Sequence, residues 1–372
     1  MQHAVTRIQY LDGLRGLAII LVMLFHAYSR WPKKYPYGDA FSQIPVFDNG
    51  WIGVQLFFMI SGFVIFMTLE RCQGFFQFMA KRWVRLFPAM LVCSLLIFLS
   101  AKFFHERPLG IPPARALLPG LTFVEPYWWE LILGSRQREL EGAFWSLYVE
   151  VKLYLVAGIF YFLFGWRVMV SVLIAMFLVG VAVLFMDPWF VENQWHTAKW
   201  IISSLSGRPC GWFAAGVLFY RYKATSNSNY FIMALALALA SGVAAGKSAW
   251  GPMDFAWDRV IAGVTVALIF TSAIRFEKFQ QAIANRFLLF IGFISYPLYL
   301  LHENMMVSLI AKLGKLELGG PLLLMPALPM VFVIFLGWLV ARFIEPKARR
   351  WLKILVVERI NVGSKRLKLS QS

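Results

Sequence analysis

The sequence predicts an all-α protein, a bundle of about ten transmembrane helices with both termini in the cytoplasm. Hydrophobic residues make up 60% of the 372 residues, the mean hydropathy is +0.65, and only 15% of the residues are charged. A soluble domain of this length is much less apolar. The apolar residues also fall into runs of about 20, which is the length that an α-helix needs to cross a bilayer. The chain is therefore expected to be an integral membrane protein.

Ten candidate spans follow from these apolar runs. They cover residues 12–30, 51–69, 87–105, 144–164, 167–186, 200–220, 230–246, 258–274, 287–309 and 321–344. The sixth span is interrupted by Gly207-Arg208-Pro209, and Gly165-Trp166-Arg167 separates the fourth from the fifth. Because glycine and proline weaken a helix at such points, about eight to eleven spans fit the sequence.

The distribution of lysine and arginine predicts the orientation of these spans. With the N-terminus in the cytoplasm, that side receives Arg71, Lys81, Arg82, Arg85, Arg167, Arg221, Lys223, Arg275, Lys278, Arg286 and the basic segment from Arg342 to Lys368. The opposite side receives fewer, chiefly Lys33, Lys34, Arg107, Arg115, Arg136, Arg138, Lys247, Lys312 and Lys315. This asymmetry is the positive-inside pattern. It accounts for the formal net charge of +17 without a nucleic-acid partner.

Arg15 and His26 lie in the first span, eleven residues apart. Eleven residues are about three helical turns, so the two side chains share one face, with about 16 Å between them along the axis. Ionisable groups inside a bilayer are unfavourable and usually mark a pathway or a reaction centre. This pair is the first functional candidate in the chain.

Glu150 enters the membrane from the opposite side, in the fourth span. Its distance from the outer boundary, about 9 Å by helical rise, predicts a depth similar to that of His26. A carboxylate beside an imidazole stabilises the charged ring, and a histidine held in this way serves as a general base towards a hydroxyl group. His26 and Glu150 are therefore the predicted catalytic pair, and a purely structural His–Glu contact is the alternative.

A basic segment, Lys81-Arg82-Trp-Val-Arg85-Leu-Phe-Pro88, precedes the third span. Arg82 and Arg85 are three residues apart and are neighbours on a helix surface, where two guanidinium groups suit a phosphate. Arg15 is predicted at the same membrane face. The three arginines predict a phosphate-bearing ligand, and the alternative is that they are ordinary positive-inside anchors.

Other residues have weaker signals. Ser61 with Gly62 near the middle of the second span either admits a thioester or serves close helix packing. His302, with Glu303 beside it, either lines an acceptor entrance or is a structural histidine. Candidate lining residues of a substrate pocket are Ser61, Tyr148, Tyr296 and His302. For Tyr296, as for Tyr299, a packing and hydrogen-bonding group is the alternative interpretation.

No metal site is predicted. The three cysteines, Cys72, Cys93 and Cys210, are far apart and lie in or beside apolar stretches, so they predict neither a disulfide nor a metal framework. No spacing of histidine, cysteine and carboxylate residues suggests metal ligands either.

Five motifs together resemble the membrane acyltransferase 3 family, bacterial enzymes that O-acylate cell-surface carbohydrates. In chain order they are Arg15 with His26, Gly53-Val-Gln-Leu-Phe-Phe-Met-Ile-Ser-Gly-Phe63, Arg82-Trp-Val-Arg85-Leu-Phe-Pro88, Trp145-Ser-Leu-Tyr-Val-Glu150 and Ser295-Tyr-Pro-Leu-Tyr-Leu-Leu-His302. Each motif alone is weak, and the five in order are specific. They imply a membrane acyltransferase domain over residues 1–345, followed by a basic cytoplasmic tail over 346–372.

The resemblance implies a function and roles for individual residues. Acetyl-CoA is the expected acyl donor, used as a co-substrate with no permanently bound cofactor. Arg15, Arg82 and Arg85 are expected to bind the donor, and His26 is the expected catalytic residue. The acceptor is expected to be a saccharide or glycolipid at the bacterial inner membrane. Tyr148 departs from the small residue or serine that the family often has, which alters the pocket around Glu150.

The resulting hypothesis is that an acceptor hydroxyl group arrives from the outer side and loses its proton to His26. Its oxygen then attacks the thioester carbonyl of acetyl-CoA. Direct transfer and a covalent acyl-histidine intermediate both remain open. The competing class is a transporter or exporter of a saccharide or small anion, since buried charges along a helix bundle also describe a transport route.

Overall fold

A computed structural model describes residues 8–205, 207–247, 255–316, 320–352 and 354. Within these ranges the regular structure is helical apart from one isolated bridge between Lys247 and Phe255, which confirms the predicted all-α class. The first seven residues and most of the predicted basic tail lie outside the described residues.

Sixteen α-helices are present in the described part of the chain. The first eight are α1 (Gln9–Tyr28), α2 (Pro45–Asp48), α3 (Gly53–Leu69), α4 (Phe75–Ser100), α5 (Leu117–Thr122), α6 (Pro126–Leu133), α7 (Trp145–Phe185) and α8 (Asp187–Glu192). The other eight are α9 (His196–Ser204), α10 (Gly207–Thr225), α11 (Ser228–Ala244), α12 (Trp257–Arg275), α13 (Glu277–Ile283), α14 (Arg286–Gly314), α15 (Ala327–Leu339) and α16 (Glu345–Leu352). Short 3₁₀ turns lead into α3, α5, α7 and α15, and a π-helical turn, Val340–Ile344, joins α15 to α16.

Six helical segments in the described ranges are long and apolar enough to cross a membrane, or seven if the bent pair α13 and α14 forms one span. The six are Gln9–Tyr28, Gly50–Leu69, Phe75–Ser100, Gly142–Phe185, Trp257–Arg275 and Leu322–Leu352. Each of the ten predicted segments overlaps a helix, but the count of about ten is not confirmed by length and composition. The cytoplasmic location of both termini stays a prediction.

The two interruptions expected from the sequence have different outcomes. Helix α7 is 41 residues long and contains a non-helical residue, Gly165, with φ of +83°. Its length corresponds to about 62 Å, twice the thickness of the hydrocarbon core, and glycine is the residue that accepts this φ at little energetic cost. The break therefore falls where the fourth and fifth spans were predicted to separate. The sixth span is different, because α10 begins at Gly207 and contains Arg208 and Pro209 in its first turn. Proline fits there because first-turn N–H groups have no partner within the helix.

The described residues form two compact units. One is drawn from the described residues within 1–25, 49–64 and 173–295, and the other from those within 26–48, 65–172 and 296–354. In the first unit, α3 and α10 pack backbone to backbone, because a Cβ on Gly62 would overlap the carbonyl group of Phe213. In the second unit, α15 packs closely against α14 at Gly337. A Cβ added to Gly337 would lie 3.2 Å from Cα of Leu298. The second unit contains the residues around His26.

Candidate functional site

His26 lies in the last turn of α1 and contacts two residues near the middle of α14. Its Nε2 atom is 3.7 Å from Oε1 of Glu303. Its Nδ1 atom is 3.2 Å from Nε2 of His302, and the two imidazole rings meet edge to face with 4.7 Å between their centroids. The side chain of His26 is 11% exposed and that of Glu303 is 3% exposed. A buried cluster of two histidines and one carboxylate thus forms within the second unit.

The hydrogen bonds of this cluster determine where the ring protons lie. Nδ1 of His302 is 2.8 Å from the carbonyl oxygen of Tyr299, and a carbonyl only accepts, so Nδ1 carries the proton. In a neutral imidazole the other nitrogen is then an acceptor, so Nε2 of His302 accepts from Nδ1–H of His26. In neutral His26 the lone pair is therefore on Nε2, the atom that faces Glu303. This is the tautomer that a general base needs.

The carboxylate of Glu303 is fixed by two neutral donors. The indole Nε1–H of Trp31 donates to Oε1 at 3.2 Å, and the backbone N–H of Ala143 donates to Oε2 at 2.6 Å. Gly142 provides the room for this arrangement, because a Cβ at that position would lie 2.9 Å from both carboxylate oxygens. Neutral donors orient the carboxylate and leave its negative charge available to a protonated His26.

Two tyrosines after α1 hold the last turn of that helix. The hydroxyl group of Tyr35 donates to the carbonyl oxygen of His26 at 2.6 Å and accepts from the N–H of Trp31 at 3.0 Å. The hydroxyl group of Tyr37 donates to the carbonyl oxygen of Ala27. Burial raises the pKa of Tyr35 well above its usual value, so its hydroxyl group remains a donor. The loop thereby caps the helix end and places Trp31 against Glu303.

A second buried network fastens the long loop between α4 and α7 beside the histidines. The carboxylate of Glu141 accepts from the backbone N–H of Asn304 at 3.1 Å and from its side-chain amide. Arg107 is 3.3 Å from the same carboxylate and donates to the carbonyl oxygen of Leu140. The side-chain oxygen of Asn304 in turn accepts from the N–H of Leu109 at 3.2 Å. Because Asn304 follows Glu303 directly, this network fixes the loop next to the catalytic candidate.

Arg82 and Arg85 lie on α4, in the second unit. Arg82 is 8% exposed, and one of its terminal nitrogens donates to Oγ1 of Thr68 at 2.8 Å. Its other two nitrogens, Nε and Nη1, are buried without a hydrogen-bond partner. The positive charge of Arg85 repels the guanidinium group of Arg82. A buried guanidinium group with two unpartnered donors is unfavourable alone and suits an anionic ligand.

Glu150 contacts the arginine region. Its Oε1 atom accepts a hydrogen bond from the hydroxyl group of Tyr154, one turn later on α7. Its charge also acts on Arg82 and on Tyr296. Glu303 lies 3.7 Å from His26 and is a second candidate for its carboxylate partner, while the pairing of Glu150 with His26 stays a prediction. Matched depth on two helices gives height along the membrane normal but not lateral position, so depth could not distinguish the two carboxylates.

The arginine region and the histidine cluster share two helices. Along α7, Ser146 and Glu150 are four residues apart, about 6 Å by helical rise. Along α14, Tyr296 and Glu303 are seven residues apart, about 10 Å. Between them, the hydroxyl group of Tyr299 donates to the carbonyl oxygen of Ala143 at 2.9 Å and lies 2.8 Å from the hydroxyl oxygen of Ser146. The two regions are thus within reach of one extended ligand.

The structure separates the remaining candidates by their contacts. The hydroxyl group of Tyr296 donates to the carbonyl oxygen of Leu86 at 3.0 Å, and its place in a substrate pocket stays a prediction. Tyr148 is 1% exposed and its hydroxyl group has no hydrogen-bond partner. Lys152, whose partner the sequence did not indicate, forms an ion pair of 2.8 Å with Glu125 at the start of α6.

Arg15 and Ser61 belong to the first unit. Arg15 pairs with Oδ1 of Asp12 at 2.7 Å, one turn earlier on the same helix. Ser61 precedes Gly62, whose backbone packs closely against Phe213, in agreement with the close-packing interpretation of this pair. The predicted meeting of Arg15 with Arg82 and Arg85 stays a prediction.

Two contributors to the cluster were missed by the sequence reasoning. Glu303 was noted only as the neighbour of His302, and Trp31 was not among the candidate residues. The available signal was the run His302-Glu303-Asn304, three polar side chains within an apolar helix. Among the described residues, no group of three histidine, cysteine or acidic side chains is arranged to hold a metal ion.

A family model and several known proteins match this chain, in agreement with the resemblance of its motifs. The model of the acyltransferase 3 family, described as an acyltransferase domain, matches residues 8–345. Peptidoglycan O-acetyltransferase OatA of Listeria monocytogenes is 29% identical over 166 residues, which are 41% of this chain and 24% of that protein. The O-acetyl transferase of Shigella phage Sf6 is 27% identical over 157 residues, 40% of this chain and 44% of the phage protein.

A third relative is similar over much the same length. O-acetyltransferase OatA of Staphylococcus aureus strain NCTC 8325 is 28% identical over 158 residues, 39% of this chain and 23% of that protein. The chain thus covers less than half of the length of each of these relatives. No solved structure matches it significantly.

Proposed function

This chain belongs to the acyltransferase 3 family and is an integral membrane protein, and we propose that it transfers an acetyl group from cytoplasmic acetyl-CoA to a hydroxyl group of a cell-surface or lipid-linked saccharide. The observation that carries the proposal is the buried cluster of His26, His302 and Glu303. Its geometry suits removal of a proton from a hydroxyl group. The saccharide as acceptor class is suggested by the relatives, one of which is named a peptidoglycan O-acetyltransferase.

His26 is the general base in this proposal. Its Nε2 lone pair takes the proton of the acceptor hydroxyl group while the hydroxyl oxygen bonds to the thioester carbonyl carbon. The C–S bond then breaks, and the proton held by Nε2 passes to the departing thiolate of CoA. Glu303, 3.7 Å from Nε2, stabilises the imidazolium in between, and His302 keeps the ring in the required tautomer. Glu303 takes the role for which the sequence suggested Glu150.

The donor is proposed to bind at Arg82 and Arg85. The two unpartnered donors of Arg82 would meet phosphate oxygens of CoA, and Arg85 adds positive charge. The thioester arm would then extend along α7 and α14 towards His26, a distance of about 10 Å by helical rise. Glu150, bonded to Tyr154, belongs to the donor end of this path and orients the arginine region. Arg15 is retained as a further donor-binding residue on family resemblance.

The proposed location is the bacterial inner membrane, with the arginine region on the cytoplasmic side, where acetyl-CoA is available. The acceptor would arrive from the opposite side, along the loop between α4 and α7 that is fastened beside Glu303. Family membership favours this assignment over the alternative of a saccharide or anion exporter.

The test uses purified protein in detergent, acetyl-CoA labelled in the acetyl group, and glycan acceptors from bacterial envelopes. Transfer of label to glycan is expected for the unmodified protein and is expected to be lost in His26→Ala, with acetyl-CoA binding retained. Transfer that survives His26→Ala would refute the assignment of the base. Accumulation of an unmodified glycan inside proteoliposomes without acetylation would instead identify an exporter.

A further inference from the structure

The loop between α4 and α7 forms a cleft of about 490 Å³. It is lined by Ile111, Pro112, Pro113, Arg115, Arg136 and Arg138. This volume is in the range of sites that hold small organic ligands. Three of the six lining side chains are cationic, and none is acidic.

We propose that this cleft binds the anionic group, a carboxylate or phosphate, of an acidic saccharide acceptor. The inference rests on the proposed acetyl transfer and narrows its substrate class. Guanidinium groups bind both anions through paired N–H donors, so the cleft would recognise either one.

Two segments of the loop form the walls of the cleft. Residues 136–139 have no helix or strand assignment and alternate in burial, with Arg136 and Arg138 exposed and Gln137 buried between them. Alternation of this kind directs successive side chains to opposite sides of the chain. Arg115 approaches from the other wall and donates to Oγ of Ser135 at 3.4 Å. The proline pair before it restricts the backbone of that wall.

The arginines of the cleft are not neutralised by ion pairs within the described residues. In the described part of the chain, Arg115, Arg136 and Arg138 form no ion pair, whereas Arg107 in the same loop is paired with Glu141. Three cations around one concave surface concentrate an attractive field for anions. On the predicted topology these arginines are on the outer side, where the positive-inside pattern disfavours them, so orientation of the chain does not explain their presence.

The cleft is close to the proposed base along the chain. Arg138 precedes Ala143, which binds the carboxylate of Glu303, by five residues. Five residues span at most about 17 Å. The intervening Glu141 is fixed to Asn304, so this segment is held at the site. An acceptor anchored by its anionic group in the cleft can therefore present a hydroxyl group of a neighbouring sugar to His26.

The experiment measures binding to the full-length protein in neutral phosphatidylcholine nanodiscs by isothermal titration calorimetry. The probes are trigalacturonic acid, glucose 1-phosphate and, as the neutral comparison, maltotriose. At least one anionic probe is expected to bind more tightly than maltotriose and to weaken with added salt. Arg136→Gln/Arg138→Gln is expected to weaken this binding about tenfold or more, since two charge-assisted pairs are lost. Equal binding of all three probes would overturn the proposal.

The matched control is Lys33→Gln/Lys34→Gln, which removes two exposed cations from the loop after α1 and is expected to leave probe binding unchanged. Arg136→Lys/Arg138→Lys keeps the charge and is expected to bind at an intermediate level. It also provides a folded variant if the glutamine pair is unstable. A loss of probe binding in Lys33→Gln/Lys34→Gln as large as the loss in Arg136→Gln/Arg138→Gln would also overturn the proposal.

Two further measurements distinguish the alternatives. Nanodiscs containing phosphatidylglycerol test a lipid headgroup as occupant: displacement of the anionic probes by this lipid, with no effect of the arginine changes on acetyl transfer, would reject the saccharide assignment. Probe binding is measured without acetyl-CoA, and His26→Ala is expected to retain it. Absence of acetyl transfer would therefore not affect the binding result. Absence of probe binding would likewise not affect the measurement of acetyl transfer.

Discussion

His26 and Glu303 are joined at 3.7 Å, between Nε2 of the imidazole and Oε1 of the carboxylate. The two residues are 277 positions apart and come from the end of α1 and the middle of α14. His302 fixes the opposite nitrogen of the same ring at 3.2 Å. A histidine whose two nitrogens face one acceptor imidazole and one carboxylate has a defined tautomer and a stabilised protonated form.

Glu303→Gln is expected to lower kcat for acetyl transfer by about 100-fold or more, because the amide removes the charge that stabilises protonated His26. KM for acetyl-CoA should change little. The comparison variant is Glu150→Gln, which is expected to change KM for the donor more than kcat, because Glu150 acts on Arg82. Steady-state kinetics with labelled acetyl-CoA separate these effects. The opposite pattern, with kcat lost only in Glu150→Gln, would restore Glu150 as the partner of the base.

Arg82→Ala is expected to raise KM for acetyl-CoA by about 10- to 100-fold, which corresponds to the loss of one or two hydrogen bonds to a charged group. The sharper measurement uses acetyl-pantetheine, which lacks the phosphates of CoA. KM for this donor should be the same in the variant and the unmodified protein. Arg71→Ala, which removes an exposed arginine from the segment before α4, provides the control. An equal effect on both donors would show that Arg82 has a structural role.

The helical class was predictable because it depends on local sequence, and local sequence also suggests the site candidates on α1, α4 and α14. Apolar runs of fixed length predict helices, and eleven residues separate two side chains by whole turns whatever surrounds them. The pairing of His26 was not predictable, since it depends on how helices distant in the chain pack side by side. His302 and Glu303 form adjacent polar positions in an apolar helix, yet only tertiary packing identifies which carboxylate meets His26.

The number of membrane spans was not predictable for a different reason, which is that the same residues can either break or begin a helix. Gly165 was predicted as a break because glycine weakens a helix, and its φ of +83° is one that glycine accepts at little cost. At Gly207-Arg208-Pro209 the same residue types begin a helix, because proline is compatible with a first turn as well as with an interruption. Composition gives the presence of such residues, and packing determines which of the two roles they take.

Gly142→Ala is expected to fold and to lose activity. An added Cβ would lie 2.9 Å from both oxygens of Glu303, and the carboxylate can turn away because it ends a flexible side chain. Turning breaks the hydrogen bond from the N–H of Ala143 and moves the charge away from His26. We expect a fall in kcat of about tenfold or more at unchanged KM for acetyl-CoA. Gly74→Ala, at a position with open space around it, should retain activity, and equal kcat in both variants would contradict the role of Gly142.

Glu139→Gln is expected to make the protein more stable above neutral pH. Burial, together with the charges of Glu303 and Glu125, raises the pKa of Glu139 to about 7, so the folded protein holds a proton that the unfolded chain releases near its ordinary value of 4.5. Stability from this group is therefore fully present below about pH 4.5 and is lost as pH rises through 7. The glutamine variant lacks this loss, which we expect to be on the order of 3 kcal/mol at pH 8, since the pKa rises from 4.5 to about 7 on folding. The apparent Tm in detergent should differ between variant and unmodified protein at pH 8 but not at pH 4.5. Asp39→Asn, at an exposed position, is the control, and a difference independent of pH would contradict the prediction.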